Sequence, residues 1–306
     1  MVIGLSEHLG DIVAAEPLIH ALKSKEPRLE IIWIVQHDYR SLLENHPGID
    51  QVISIHCLSD WVRLKPLIPA LTVLDLHVPG KACAKENLRV APNENALQLN
   101  VNNYYEHGPL LHIFCGLANL PSFDAQPELH LADSSCNSIA KLELPQKFIS
   151  IHTLSSSADR DWTAEKWAEF VQRVMDQTGL PCVEIGMKSV FAGKKITGLL
   201  SFAGTLDIVQ TIEVIRRSEA FVGIDSGPAH LANALEKPGV ILLGAFGSFT
   251  KYLPYTGHFS RSPRVKIIQH PLPASDIAVQ VVLEAFFEVL TDRTLSSQKT
   301  TQPSYE

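Results

Sequence analysis

The sequence has few of the features that mark membrane, disulfide-rich or metal-cluster proteins. Its five cysteines are scattered and form no CxxC pair, which argues against a disulfide framework and a cysteine-ligated zinc site. No apolar run approaches the roughly 20 residues that a membrane helix requires. An apolar run starts almost at once and is interrupted by Glu7, so a secretory signal peptide is not expected. We therefore expect a soluble, cytoplasmic protein without a transmembrane segment.

Charge is also modest in this chain. Charged residues make up 19% of the 306 residues, and the formal net charge of -7 argues against nucleic acid as a partner. Hydrophobic residues make up 45%, which is enough to build more than one core. The length predicts about two domains.

Short apolar runs alternate with helical patterns along the chain. Strands that are apolar on both faces and separated by helices predict βαβ units and parallel sheets. The predicted strands are 2–5, 30–35, 51–55, 71–76, 147–153, 181–186, 220–224, 239–244 and 265–269. The predicted helices are 11–25, 38–45, 59–69, 163–177, 207–217, 228–236 and 275–291, and residues 95–120 read as mostly helical.

The alternating pattern loosens between residues 121 and 146, which is where we place the domain boundary. The expected organisation is an N-terminal Rossmann-like domain over 1–125, a linker region over 126–146, a C-terminal domain over 147–291 and a disordered tail over 292–306. The alternative for the last helix is that it packs back on the N-terminal domain. The predicted fold class is α/β, with two doubly wound Rossmann-like domains facing a central cleft.

Polar residues follow the predicted strand at 220–224, in the stretch "FVGIDSGPAHLANAL". A proline fits the first helical turn, so a helix begins near Pro228 and its N-terminus suits a phosphate group. The candidate ligand-binding residues here are Asp225, Ser226, Gly227 and His230. The alternative is that Asp225 or Ser226 only caps the helix and that His230 is a core histidine.

Two further loops follow predicted strands. "HTLSSSADRDWTAEKW" offers Ser155 and Ser156 as hydrogen-bond donors and Arg160 as a planar fork for phosphate oxygens, although a serine-rich surface loop is the alternative. "SEHLGDIVAAEP" places Asp11 at a helix start, where a simple helix cap is the alternative. Phosphate-binding loops in one domain and a carboxylate in the other predict a group-transfer enzyme, with the carboxylate acting as the base.

Weaker candidates occupy other strand ends. His77 and Lys81, in "LDLHVPGKAC", are acceptor-side candidates, with a solvated turn as the alternative. The candidates for bordering a nucleoside are Gly186, Thr205 and Leu206. The loop 247–258 either covers the donor or is an ordinary packed loop.

The three loops together resemble the bacterial heptosyltransferase family, glycosyltransferase family nine, which has the GT-B fold. The stretches with this resemblance are "LSEHLGDIVAAEPLIHAL", "HTLSSSADRDWTAEKW" and "DSGPAHLANALEKPGVILLG". The resemblance implies that Asp11 is the general base. It also implies that the donor diphosphate and sugar are bound by Ser155, Ser156, Arg160, Asp225, Ser226, Gly227 and His230.

The sequence departs from the family pattern in the first two loops. Leu5 stands where the family usually has a basic residue, and Glu7 and His8 replace paired serines or threonines. Glu7 and His8 are therefore candidates for contacting a different acceptor. Arg160 stands in place of a lysine and keeps its charge.

The function that this resemblance implies is an inverting, metal-independent glycosyltransferase. The expected donor is ADP-heptose, and the expected acceptor is lipopolysaccharide core or another glycan, lipid-linked or protein acceptor, with peripheral membrane association as one option. No cofactor and no metal is expected, because "DRD" at 159–161 is split by the arginine itself and no other carboxylate pair of that kind stands at a strand end. The alternatives are a nucleotide-sugar 2-epimerase of the same fold and a non-catalytic nucleotide-binding scaffold.

Overall fold

The computed structural model describes residues 1–69, 73–95, 97–132 and 142–298, with side chains described as far as residue 291. The chain divides into two compact units. Unit 1 comprises Met1–Ala140 and Gly247–Gly257, and unit 2 comprises Lys141–Phe246 and His258–Glu306. The sequence predicted a continuous C-terminal domain over 147–291, so the return of 247–257 to unit 1 differs from that expectation. Much of the predicted linker, residues 133–141, lies outside the described residues.

Unit 1 is built on a four-stranded parallel sheet in the order β3-β2-β1-β4. Its strands are β1 (Val2–Gly4), β2 (Ile32–Gln36), β3 (Gln51–Ile55) and β4 (Val73–Asp75). Residues 71 and 72 of the predicted fourth strand lie outside the described residues. The middle of β2 is buried, as expected for a strand covered on both faces.

The helices of unit 1 are shorter than the sequence predicted. They are α1 (Leu9–Ala15), α2 (Pro17–Lys25), α3 (Leu58–Leu64) and α4 (Leu110–Leu117), with 3₁₀ turns at His37–Leu42, Lys65–Leu67 and Tyr104–His107. Pro17 occupies the first turn of α2, where its missing N–H is tolerated, so the predicted helix 11–25 is divided in two.

The prediction that residues 95–120 are mostly helical was wrong for the part before Tyr104. Asparagine side chains bind nearby backbone groups there: Asn95 accepts from the Leu99 N–H at 2.7 Å, and Asn103 accepts from the Asn100 N–H at 2.8 Å. Such local bonds compete with helical ones and favour turns.

Unit 2 contains a six-stranded parallel sheet in the order β10-β9-β8-β5-β6-β7. Its strands are β5 (Ile149–His152), β6 (Cys182–Ile185), β7 (Leu199–Ser201), β8 (Phe221–Ile224), β9 (Gly239–Leu243) and β10 (Val265–Gln269). The sequence analysis missed β7, a three-residue edge strand whose side chains are half-buried or exposed. The other five strands lie where they were predicted.

The helices of unit 2 are α5 (Ala164–Thr178), α6 (Ile208–Arg217), α7 (Gly227–Ala234), α8 (His258–Arg261) and α9 (Val279–Gln298). Helix α9 packs its buried side chains, Phe286 among them, into the core of unit 2. It also continues past residue 291, so the predicted disordered tail was wrong for 292–298, and 299–306 lie outside the described residues.

The returning segment Gly247–Gly257 is held within unit 1 by the 3₁₀ turn at Tyr104–His107. The Thr250 N–H and hydroxyl donate to the Glu106 carboxylate at 2.6 and 2.7 Å. The Phe249 ring packs edge-on against the rings of Tyr104 and Tyr105. Of the two alternatives for this loop, these contacts fit the packed one.

Each sheet has a point where the chain reverses its direction of winding. In unit 2 that point lies between the neighbouring strands β5 and β8, and in unit 1 between β1 and β4. In open α/β sheets, ligands bind beyond the carboxyl ends of strands at such points. The three loops singled out in the sequence follow β1, β5 and β8. None of the helices in the described part of the chain combines the length and apolarity needed to span a bilayer.

Candidate active site

Arg160 and Asp225 meet at the carboxyl ends of β5 and β8. Arg160 lies in a single 3₁₀ turn, Ala158–Arg160, and its Nη1 lies 3.3 Å from Asp225 Oδ2 and 3.4 Å from the Asp225 carbonyl oxygen. Its Nη2 donates to the Ser156 hydroxyl at 3.2 Å. The structure therefore brings together residues from two loops that were predicted independently.

The Arg160 side chain retains an unused donor. Its Nε is buried and makes no hydrogen bond in the described part of the chain, and the guanidinium lies 5.0 Å from the centre of the Phe246 ring. A buried donor without a partner is costly, and an anion that accepts from it would remove that cost. The Arg160 side chain is 16% exposed, so a ligand can reach it from solvent.

The stretch Asp225–His230 forms the start of helix α7. Ser226 is the residue before the helix and has extended backbone angles, Gly227 begins it, and Pro228 lies in its first turn. The Ser226 hydroxyl does not cap this helix; it donates to the Ile224 carbonyl at 3.1 Å. His230 is buried within the first turn. The N-terminus of α7 thus stands beside Arg160, as an anion-binding site requires.

His152 is a residue of this site that the sequence analysis did not single out. It ends β5 and its Nδ1 lies 2.8 Å from the Ser226 hydroxyl oxygen. Burial, reinforced by the positive charge of Arg160, lowers the pKa of His152 to about 4. The imidazole is therefore neutral at physiological pH and fixes the position of Ser226 by a hydrogen bond. A histidine ending a buried strand next to a serine-rich loop was the available signal.

The two serines of the loop after β5 have different roles. The Ser155 N–H donates to Asp161 Oδ1 at 2.7 Å, and its hydroxyl donates to the Ser157 carbonyl at 2.8 Å. Ser155 therefore maintains the shape of the loop. Ser156 is exposed and accepts from Arg160, so it is the serine that faces the candidate anion site.

The weaker candidates of unit 2 lie at the neighbouring strands β6 and β7. Gly186 follows β6 with a φ of 123°, and a Cβ built on it would lie 2.6 Å from the His152 ring. Thr205 is exposed, its hydroxyl donates to the Phe202 carbonyl at 2.8 Å, and Leu206 is half-buried. Of these three candidates, Gly186 has the clearest link to the site, because only a glycine leaves space for the His152 ring.

Asp11 of unit 1 forms an ion pair with Lys81. It lies in the first turn of α1, where Oδ2 accepts from the His8 N–H at 3.4 Å and from Lys81 Nζ at 3.2 Å. Both side chains remain partly accessible, at 23% for Asp11 and 19% for Lys81. The structure therefore brings together the predicted base and one of the weaker acceptor-side candidates.

His77 links the loops after β1 and β4. Its Nε2 accepts from the Ser6 N–H at 2.9 Å and lies 2.8 Å from the Ser6 hydroxyl, so its Nδ1 bears the proton that Asp75 Oδ1 accepts at 2.8 Å. Trp61 and Lys65 also donate to Asp75, at 3.1 and 2.7 Å. Burial opposes ionisation of Asp75, but His77 and Lys65 outweigh it and hold the Asp75 pKa below its ordinary value.

The Ser6–His77–Asp75 chain has the residue types of a hydrolase triad but cannot act as one. All three side chains are buried, so no substrate reaches the serine. The predicted contact of His77 with the acceptor stays a prediction, and the ring is buried in this structure. The hydrogen bonds of His77 hold the loop before α1, the helix that contains Asp11, against the end of β4.

Glu7 and His8 lie in this loop between β1 and α1. Glu7 is buried and accepts from Gln36 Nε2 at 3.0 Å, whereas His8 is exposed at the start of α1. Tyr39 was not singled out from the sequence; burial and the negative charges of Asp38, Glu7 and Asp11 raise the pKa of its phenol. Tyr39 is thus a neutral hydroxyl in the electrostatic field of Asp11.

Comparisons with known proteins show which proteins the chain is similar to. The model of glycosyltransferase family 9 (heptosyltransferase) matches residues 106–256. The chain is 22% identical over 284 residues to lipopolysaccharide heptosyltransferase 1 of Campylobacter coli, covering 79% of this chain and 82% of that protein. It is 25% identical over 276 residues to lipopolysaccharide core heptosyltransferase OpsX of Haemophilus influenzae, covering 81% of this chain and 79% of that protein.

Solved structures show the same fold. A glycosyl transferase family 9 protein from Veillonella parvula has a TM-score of 0.70 at 15% identity, covering 95% of this chain and 97% of its own. ADP-heptose lipopolysaccharide heptosyltransferase II of E. coli has a TM-score of 0.67 at 18% identity, covering 96% and 98%. The chain is therefore a glycosyltransferase with the GT-B fold, and over residues 106–256 it is similar to glycosyltransferase family 9, the heptosyltransferases.

Proposed function

We propose that this enzyme transfers a heptose from a nucleoside-diphosphate heptose to a hydroxyl group of a glycan, with inversion at the anomeric carbon. ADP-heptose is the proposed donor, and a lipopolysaccharide core is the proposed acceptor. The main support for the donor site is the meeting of Arg160, Asp225 and the α7 N-terminus at the switch point of unit 2. The similarity to heptosyltransferases supports the choice of sugar.

In this proposal, the diphosphate of the donor binds to Arg160 and the first turn of α7. Arg160 uses Nη1 for Asp225, which holds its guanidinium in place and leaves the buried Nε for a phosphate oxygen. Because Asp225 neutralises one positive charge, the α7 N-terminus supplies part of the attraction for the phosphates. Both groups stabilise the negative charge that develops on the leaving diphosphate, so the proposed scheme needs no metal for that step.

Asp11 is the proposed general base. The Lys81 ammonium at 3.2 Å orients the carboxylate, and the partial exposure of the carboxylate lets an acceptor hydroxyl approach. As the acceptor oxygen bonds to the anomeric carbon, the bond from that carbon to the diphosphate oxygen breaks and the proton passes to Asp11. No covalent intermediate with the protein is formed.

Two variants test the two roles in one experiment. Transfer from ADP-heptose to deacylated lipopolysaccharide core is followed by mass spectrometry, and ADP binding is measured by calorimetry. Asp11→Asn should lower the transfer rate by about 100- to 10,000-fold with ADP affinity nearly unchanged. Arg160→Ala should weaken ADP binding by about 1.5–3 kcal/mol, the scale of a hydrogen bond to a charged group. Asp38→Asn, at an exposed residue of unit 1, and Arg173→Ala, at a half-buried residue of unit 2, serve as matched controls.

The reverse outcomes would contradict the assignment. A wild-type transfer rate for Asp11→Asn would mean that Asp11 only caps α1. Unchanged ADP affinity for Arg160→Ala would remove the donor site from this loop. Appearance of the C2 epimer of the donor sugar without transfer would instead identify an epimerase.

A further inference from the structure

Three histidines and a glutamate converge in unit 1, on residues that the proposed reaction does not use. Glu16 joins α1 to α2, His20 lies on α2, His46 lies in the turn before β3, and His130 lies in the stretch after α4. One ligand atom from each lies within 4.8 Å of the others. Four segments of the chain therefore meet at one group of metal-binding side chains.

The Glu16 carboxylate is held in a fixed orientation. Its Oε2 accepts from the Glu128 N–H at 2.8 Å, while Oε1 lies 2.9 Å from His46 Nε2 and 3.3 Å from His20 Nε2. The carboxylate is 4% exposed, so it is a buried oxygen ligand directed at the imidazoles.

The hydrogen bonds distinguish His46 from the other two histidines. The Gly48 N–H donates to His46 Nδ1 at 2.9 Å, so this neutral ring bears its proton on Nε2 and donates it to Glu16. A metal ion on Nε2 would require the proton to move to Nδ1, where it would face the Gly48 N–H. His46 therefore orients the carboxylate and is not itself a metal ligand.

His130 presents a nitrogen that lacks a hydrogen bond. Its Nε2 is buried and, in the described part of the chain, has no hydrogen-bond partner, with the Glu128 carboxylate 3.6 Å away. Burial and the neighbouring His46 lower the pKa of His130, despite the opposing charges of Glu16 and Glu128. The ring is thus neutral, as a metal ligand must be.

We propose that Glu16, His20 and His130 bind one Zn²⁺ ion, with His46 as a positioning residue for the carboxylate. Two imidazoles and one carboxylate suit Zn²⁺, whereas Mg²⁺ and Ca²⁺ prefer oxygen ligands. The His20 side chain is 56% exposed, so it can turn toward the ion, and solvent can supply a fourth ligand.

The ion would join the junction of α1 and α2 to the stretch around His130, which is distant from it in sequence. Asp11 lies on α1, so the site would stabilise the element that bears the proposed base without touching the reacting sugar. The proposal does not depend on the proposed function, because a structural ion would be present whichever acceptor the enzyme uses.

Zinc titration of the metal-free full-length protein tests the proposal. After treatment with EDTA and dialysis, calorimetry with ZnCl₂ should give one ion per chain, and Zn²⁺ should raise the melting temperature. His20→Ala and His130→Ala should each weaken binding by about 10-fold or more. His20 is exposed, so its variant is expected to fold. His56→Ala, which removes an exposed histidine elsewhere in unit 1, should bind as the wild type does.

Co²⁺ in place of Zn²⁺ should give the visible absorption of a four-coordinate site in wild type and in His46→Gln, since glutamine can still donate to Glu16. Loss of that absorption in a folded His46→Gln protein would overturn the positioning role. The proposal as a whole fails if Zn²⁺ binds with less than one ion per chain at micromolar concentration. It also fails if His20→Ala and His130→Ala bind as tightly as the wild type.

Discussion

The neutral His152 ring makes the stability of unit 2 depend on pH. Its folded pKa of about 4 lies below the ordinary value of 6.5, so between those values the unfolded chain takes up a proton and the folded chain does not. The contribution of the neutral His152 ring to the free energy of unfolding is complete above pH 6.5. It is lost as the pH falls toward 4. With 1.36 kcal/mol for each pKa unit, the loss amounts to about 3 kcal/mol.

Urea unfolding at pH 7.5 and pH 4.5 measures this dependence. The His152→Gln variant should lose less unfolding free energy than the wild type between the two pH values, by about 2–3 kcal/mol. His56→Gln removes an exposed histidine and should lose as much as the wild type. Equal losses in all three proteins would mean that His152 is protonated in the folded state near its ordinary pKa.

The sequence predicted some of the residues that meet at the proposed donor site but not others. Arg160, Asp225 and Ser226 were predicted because their residue types suit phosphate and follow strands. His152 was missed because a histidine at the end of an apolar strand is also typical of an ordinary core. The partners of His77 were not predicted, because only the folded chain shows that its ring is enclosed between Ser6 and Asp75.

At the scale of single elements, the end of β6 depends on Gly186. A Cβ at this position would lie 2.6 Å from the His152 ring, and the φ of 123° is unfavourable for any other residue. Gly186→Ala should therefore destabilise the protein by about 2–4 kcal/mol, through strain and overpacking together. Gly193 also has a positive φ, but nothing lies within 4 Å of a Cβ built on it. The destabilisation caused by Gly193→Ala should therefore reflect backbone strain alone.

A double-mutant cycle separates the contact from the strain. In a His152→Ala background, the cost of Gly186→Ala should fall by about 1–3 kcal/mol, because the ring that meets the new methyl group is gone. Urea unfolding of the four proteins measures the difference. An unchanged cost in that background would show that the His152 ring moves aside without penalty.

Buried, apolar strands were predicted well, because their hydrophobic pattern is visible in the local sequence. All five predicted strands of unit 2 are present, and β10 has the predicted bounds. The errors fall where hydrogen bonds and not burial determine the structure. The asparagine-rich stretch before Tyr104 was included in a mostly helical prediction, and its side chains instead close turns. β7 contains three residues, which are too few to show the hydrophobic periodicity of a strand.

At the scale of the whole molecule, the chain leaves unit 2 after Phe246 and returns to it at His258. Local sequence gives no sign of this crossing, because the partners of the segment lie far away along the chain. Thr250 binds Glu106, and Phe249 packs on Tyr104 and Tyr105. A continuous C-terminal domain was the simpler prediction, and only non-local contacts correct it.

This crossing begins beside the proposed donor site, since the Arg160 guanidinium lies over the Phe246 ring at 5.0 Å. Phosphate binding to Arg160 should fix that ring and restrain the residues that follow it. In hydrogen exchange with saturating ADP, we expect slower exchange at 155–162, at 225–230 and in Gly247–Gly257, with β2 and β3 unchanged.

The Phe246→Leu variant distinguishes the protection of Gly247–Gly257 from the binding of ADP itself. Leucine keeps the apolar contact but lacks the aromatic face that attracts the guanidinium, an interaction of about 0.5–2 kcal/mol. ADP should still slow exchange at 225–230 in this variant, whereas the protection of Gly247–Gly257 should be largely lost. If ADP protects only unit 2 in the wild type, or if Phe246→Leu behaves as the wild type does, Phe246 does not transmit donor binding to the segment. The expected result follows from chain connectivity, because a side chain fixed at residue 246 limits the backbone at 247, and that backbone leads directly into unit 1.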